Sequence, residues 1–231
     1  MSVTPADLAR ATERLRQHPS DYGAWLEVAA LLGNLGNVDD AELAFATIGE
    51  GARIAGRVAL AVACGRHLAE LQSMRGGELV DQVIETYATG GPHFSFSAPP
   101  APDDAPELPP PTKDADPIAT ARVTLEKLGA WLTARQLPKV PPAPLLSALS
   151  KSGARALIGV MSARAVSAGT VIIEIGEPAT ALYWIAHGTV TVGRDATTLG
   201  ELHSGAFFGE IALVGGTKRT ARVTEIGRAH V

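Results

Sequence analysis

The chain has 231 residues, of which 46% are hydrophobic and 19% charged, with a formal net charge of −4. That apolar content suffices for one large or two small globular cores, and Lys and Arg residues that are scattered rather than bunched exclude the basic footprint of a nucleic-acid binder. Cys64 is the sole cysteine, so no intramolecular disulfide can form, and a reducing, cytoplasmic setting is expected. The N-terminus MSVTPADLARATERLRQ carries charges where a signal peptide needs an apolar core. Val58 to Cys64 is too short an apolar run to span a bilayer.

Residues 5 to 90 are rich in Ala, Leu, Arg and Glu at helical spacing. Within them Trp25, Val28, Ala29, Leu32, Gly36, Ala41, Phe45 and Ile48 form a sharper pattern, with Pro19 six residues ahead of the tryptophan. That pattern resembles one tetratricopeptide repeat: a large residue opening the first helix, small residues at the helix contact, and a Gly at the turn. Residues 6 to 18 then correspond to the second helix of a preceding repeat. Gly56 to Glu85 are helical but fit less well, because Ala59 sits where the next large residue belongs. Stacked repeats of this kind leave a concave face suited to a protein partner. A plain Ala-rich bundle is the alternative.

Nine of the sixteen prolines lie between Pro92 and Pro117, with five acids and almost no branched aliphatics. Such a segment buries too little apolar surface to offset its ordering entropy, so residues 92–117 are expected to form a disordered linker. A Pro-rich ligand for a partner's aromatic groove is the other reading. Pro117 to Arg135 is expected as a helix with Val123, Leu125, Leu128, Trp131 and Leu132 on its apolar face. The stretch LLSALSKSGARALIGVM follows, with Ser150 as an N-cap. From Ala165 the period changes: VIIEI, ALYWIA, TVTV and TTLGEL are short, β-branched or aromatic, and separated by GEP, HG, GRD and HSG. A sandwich, jelly roll or barrel is expected there.

The stretch FFGEIALVGGTKRTARV, Phe207 to Val223, carries the chemistry. Gly209 permits a left-handed backbone, and Glu210, Ile211, Ala212 and Leu213 can make one helical turn that Gly215 and Gly216 end. The first amides of a helix lack internal partners and carry partial positive charge, which suits an anion. Ala212 is small enough for a phosphate to approach. Arg219 can fold back to offer a guanidinium fork. Glu210 would repel a bare phosphate, but it suits a ligand that also carries a hydroxyl donor such as a ribose 2′-OH.

This region resembles a cyclic nucleotide-binding domain, and Phe208 to Val223 its phosphate-binding cassette. The resemblance covers roughly residues 140 to 223. It implies that Gly209 and Glu210 meet the ribose, that the amides near Ile211 and Ala212 together with Arg219 hold the cyclic phosphate, and that Thr220 touches phosphate or base. IGEP at Ile175 to Pro178 resembles the family's first hairpin, and Gly188, Gly200 and Gly205 its later turns. Ala179 and Ala206 depart from the family's usual glycine and acid, and Thr220 is compatible with cAMP or cGMP alike. Many members close a C-terminal helix over the purine. No residues follow Val231 to form one, so an incomplete β-roll is expected. EIGRAHV, Glu225 to Val231, can be read in codons as gag atc gga aga gca cac gtc, the start of a common short-read sequencing adapter, so this tail is expected to be artefactual.

Competing motifs carry less. GGTK at Gly215 to Lys218 lacks the order of a P-loop. His187 and His203 adjoin turn glycines without metal-ligand spacing. Glu174 and Glu177 flank a hairpin as solvated charges, and Cys64 sits in an Ala-rich helix as an inert thiol. The expected architecture is therefore a multidomain α and β chain: tetratricopeptide-like helical hairpins over residues 1–91, the linker over 92–117, helices leading into the β domain over 118–162, and an antiparallel β-roll over 163–231. It implies a regulatory binder of cAMP or cGMP, with no catalytic constellation, metal or cofactor, and a protein partner for the helical repeats. An interaction scaffold whose β-roll is blind to nucleotide is the alternative.

Overall fold

The computed structural model describes residues 3–88, 105–108, 110–111, 115–134, 143–195, 197–227 and 229–230. Most of the expected linker lies outside the described residues. Five helices open the chain: α1 (Pro5–Gln17), α2 (Tyr22–Asn34), α3 (Val38–Ile54), α4 (Val58–Glu70) and α5 (Met74–Tyr87). Each begins where local chemistry supports it. Thr4 and Asp7 form a reciprocal capping box ahead of α1, Asp21 accepts from the amide of Gly23, and Ser73 accepts from that of Arg75. Gly36 and Gly56 turn the chain between helices at φ 81° and 74°, where a side chain would be strained. Consecutive helices pack against one another. Trp25, Val28, Ala29, Leu32, Ala41 and Ile48 are fully buried, and the indole of Trp25 donates to the carbonyl of Pro19 at 2.9 Å.

The helices α6 (Pro117–Thr133), α7 (Pro144–Ser147) and α8 (Lys151–Gly159) follow. They share the core of the first five. α6 lies on α1 and α3, and α8 lies on α5. Leu125 and Leu128 share one continuous apolar cluster with Leu8, Trp25 and Ile48. Arg122 of α6 reaches the nearly buried carboxylate of Asp40 in α3 with two bonds, at 2.7 and 2.9 Å. The chain just before α6 is tied down as well: Arg16 donates to the carbonyl of Leu108 at 3.0 Å, and Leu108 packs against the helical core.

The remainder is β structure with one short helix: β1 (Ala165–Val166), β2 (Val171–Ile173), β3 (Tyr183–Trp184), β4 (Thr189–Arg194), β5 (Thr197–His203), β6 (Phe207–Phe208), α9 (Glu210–Gly215), β7 (Arg222–Glu225) and β8 (Ala229–His230). All pairings are antiparallel: a four-stranded sheet in the order β2-β7-β4-β5, and two small pairs, β3-β6 and β1-β8. The tail expected to be artefactual supplies Glu225 to β7 and all of β8. A compact cluster of Ile173, Ile185, Val190, Phe208 and Val223 holds the roll together. The roll also rests on the helical body. Ala186 belongs to the helical core, Trp184 packs against it, and a methyl group on Gly23 of α2 would sit 2.7 Å from Nε2 of His187.

Candidate functional site

The cassette begins at Gly209, which has φ 87° and is the N-cap of α9. Two constraints meet at this residue. The left-handed backbone penalises any side chain, and a Cβ there would lie 2.8 Å from Nη1 of Arg219. The missing side chain is therefore the space the guanidinium occupies. α9 ends at Gly216, also left-handed at φ 61°, whose amide bonds back to the carbonyl of Ala212. The amide of Thr217 reaches the same carbonyl at 3.0 Å.

Past that turn the backbone is clamped against the hairpin at Ile175 to Pro178. The amide of Gly176 donates to the carbonyl of Arg219, the amide of Arg219 donates to the carbonyl of Glu177, both at 2.9 Å, and Pro178 bridges to Lys218. This clamp aims the Arg219 side chain back under α9. There it is only 6% exposed and donates to the carbonyls of Gly209 and Ala181, each at 2.6 Å. One guanidinium thus ties the start of the cassette to the segment that leads into β3.

The six expected ligand residues are distributed unevenly. Gly209, Ala212 and Arg219 form the packed floor, with Ala212 buried. Glu210 and Thr220 are exposed, and Ile211 is 71% exposed. Glu210 stands on the first turn of α9, so the carboxylate and the Arg219 guanidinium belong to the same short loop. The guanidinium, expected to point at an anion, is engaged with the two carbonyls. Thr220 contributes a backbone contact, its carbonyl accepting from Nε of Arg194 at 2.8 Å.

Sequence reasoning missed three supporting positions. Ala181 acts through its carbonyl, and a backbone acceptor leaves no trace in residue type. Glu174, read as a solvated turn charge, pairs with Arg222 at 2.8 Å, and that hydrogen bond holds its carboxyl below the usual carboxylate range. Oε2 of Glu177 accepts from the amide of Glu174 at 3.2 Å and so braces the hairpin. A signal for the Glu174–Arg222 pair existed in the opposite charges on facing strand ends, but it needed the register of β2 on β7. Among the described residues no group of three or more His, Cys, Asp or Glu is placed to hold a metal ion, and no helix is long and apolar enough to cross a membrane.

The comparisons bear on this region. The family model described as the cyclic nucleotide-binding domain matches residues 163–231. A cyclic nucleotide-gated potassium channel of Mesorhizobium japonicum is 38% identical over 85 residues, covering 37% of this chain and 23% of the channel. A cGMP-dependent protein kinase of Caenorhabditis briggsae is 31% identical over 102 residues, covering 43% of this chain and 14% of the kinase. Among solved structures, the regulatory subunit of a cAMP-independent protein kinase A from Trypanosoma cruzi bound to guanosine is 31% identical with a TM-score of 0.36, covering 38% of this chain and 33% of that one. The chain thus spans less than a quarter of the length of the two curated relatives described. On the family match and these sequence likenesses, residues 163–231 are a cyclic nucleotide-binding domain.

Proposed function

We propose that the protein is a regulatory sensor of a cyclic nucleotide, cAMP or cGMP, and that Gly209, Glu210, Ile211, Ala212, Arg219 and Thr220 are its ligand contacts. The observation that carries this is the buried Arg219 guanidinium beneath α9, reached only because residue 209 has no side chain. Its present acceptors are neutral carbonyls. A cyclic phosphate set against the amides of Ile211 and Ala212 offers the same fork an acceptor that carries the opposite charge and can take it bidentately. Glu210, exposed on the same turn, then accepts from the ribose 2′-OH, and Thr220 touches phosphate or base. Occupancy reaches a partner through the helical body on which the roll rests.

Calorimetric titration with cAMP and with cGMP tests the reading. A charge-assisted hydrogen bond contributes about 1.5–3 kcal/mol, so Arg219→Ala should weaken binding by about one to two decades. Because Arg219 also braces the loop, the exposed Glu210→Gln is the second variant. Replacing the charged acceptor of the ribose hydroxyl by a neutral amide should cost about 1 kcal/mol there, close to fivefold in affinity. Wild-type affinity in both variants would sink the assignment. The second reading is a scaffold with a nucleotide-blind roll. It is favoured by the same guanidinium being satisfied by the chain's own carbonyls, and it predicts no heat with either nucleotide from a folded domain.

A further inference from the structure

Between the helical body and the roll lies a cleft of about 450 Å³, a size typical of small-molecule sites, which run roughly 300–1,000 Å³. Val62 and Ala63 of α4 and Leu157 of α8 form one side, and Trp184 and Phe207 form the other, their rings stacked at 4.8 Å. The apolar surface continues to the mouth, where Val160 is 83% exposed and Leu213 of α9 is 39% exposed.

The charges in this cleft are all of one sign. Arg66 and Arg164 line it, and no Asp or Glu does among the described residues. Arg164, exposed, lies over the Tyr183 ring at 5.4 Å, a contact made by the face of the guanidinium that leaves its in-plane N–H donors open to a ligand. Nε of Arg66 is buried and has no acceptor among the described residues. A buried donor without an acceptor is costly, and the cost disappears when an anion supplies one. An apolar ligand alone would leave that donor unmet, and a cation would add repulsion.

We propose that this cleft binds a small amphiphile with an anionic headgroup and an apolar tail, of the class of medium-chain carboxylates. The headgroup meets Arg66 and Arg164, and the tail lies along Ala63, Leu157 and Trp184. The cleft adjoins the cassette through Leu213 of α9 and Ala181, but neither Glu210 nor Arg219 lines it, so the proposal does not rest on the nucleotide reading.

The test titrates the full chain with dodecanoate, below its micellar concentration, by calorimetry and by Trp184 fluorescence, with dodecyltrimethylammonium and dodecanol as same-length controls. Saturable dodecanoate binding is expected, with each control at least about tenfold weaker, since the charge-assisted contact is absent. Arg66→Gln should weaken dodecanoate by about tenfold by the same reasoning. Val160→Asp, which places a negative charge at the exposed mouth, should also weaken it, and circular dichroism confirms that each variant is folded. Absence of saturable binding to the wild type, equal binding of anion and cation, or wild-type affinity in both variants would overturn the proposal. Tighter occupancy of the same cleft by an acidic amphipathic peptide would overturn it in favour of a protein partner.

Discussion

Gly209→Ala isolates the element on which the proposed nucleotide site rests. The new methyl group must adopt φ 87° and would stand 2.8 Å from Nη1 of Arg219, 3.2 Å from Cδ1 of Ile173 and 3.4 Å from the carbonyl oxygen of Ala181. A left-handed backbone costs a non-glycine residue about 1–2 kcal/mol. Displacing the guanidinium forfeits its hydrogen bond to Gly209, about 1.5–3 kcal/mol for a charged donor, and Arg219 is too buried for solvent to replace it. The sum is about 2.5–5 kcal/mol. Gly216→Ala is the internal control: it too is left-handed, at φ 61°, but nothing lies within 4 Å of its Cβ position, so only the backbone cost of about 1–2 kcal/mol applies. Hydrogen exchange of the β7 amides reads the local opening free energy in each variant. In the double variant Gly209→Ala with Arg219→Ala, the two losses should overlap rather than add, because they share one bond. Equal costs for the two glycines, or full additivity in the double variant, would refute the claim that residue 209 is empty to admit Arg219.

Leu128→Ala in α6 should cost about 2–5 kcal/mol, and thermal unfolding should show the N-terminal helices losing stability with it, because Leu128 shares their core. His187 lies between the roll and α2, with Asp21 and Arg57 nearby. Burial holds its imidazole below the ordinary value, partly countered by Asp21 and reinforced by Arg57. The unfolded chain then binds the proton more readily than the folded one, so the stability is present above the unfolded pKa, about 6.5, and is lost as pH falls through the folded value. His67, depressed by its own burial, adds a term of the same sign. Denaturant midpoints between pH 7.5 and 5 should fall less steeply in His187→Gln than in the wild type. Gly77→Ala, on an exposed face of α5 with nothing within 4 Å, should raise stability by about 0.5–1 kcal/mol in the same denaturant assay.

The local fold from Gly209 to Arg219 was legible because it depends on near neighbours. Gly209, Glu210, Ala212 and Arg219 fall within eleven residues, and a left-handed glycine, a one-turn helix and a returning arginine each follow from residue type and spacing. The helices were legible for the same reason: apolar residues at helical period and the cap at Ser150 act over one or two turns. The chain segments around the strands were expected, but their pairing was not, because β2 finds β7 across fifty residues and two-residue strands such as β3 and β6 carry almost no period of their own.

What the tertiary structure alone decided is which face meets which. Periodicity showed that Leu125 and Leu128 would be buried, not that they would lie on α1 and α3. Nor could it show that Arg122 would reach 82 residues back to Asp40, or that His187 would settle over Gly23. Burial is a property that each residue carries with it. A partner across a long loop is selected by the packing of the whole chain, because any complementary apolar face satisfies the same pattern. The same holds for Arg219: its sequence position marked it as an anion binder, and only the clamp of residues 176–178 turned its guanidinium onto the carbonyls of Gly209 and Ala181.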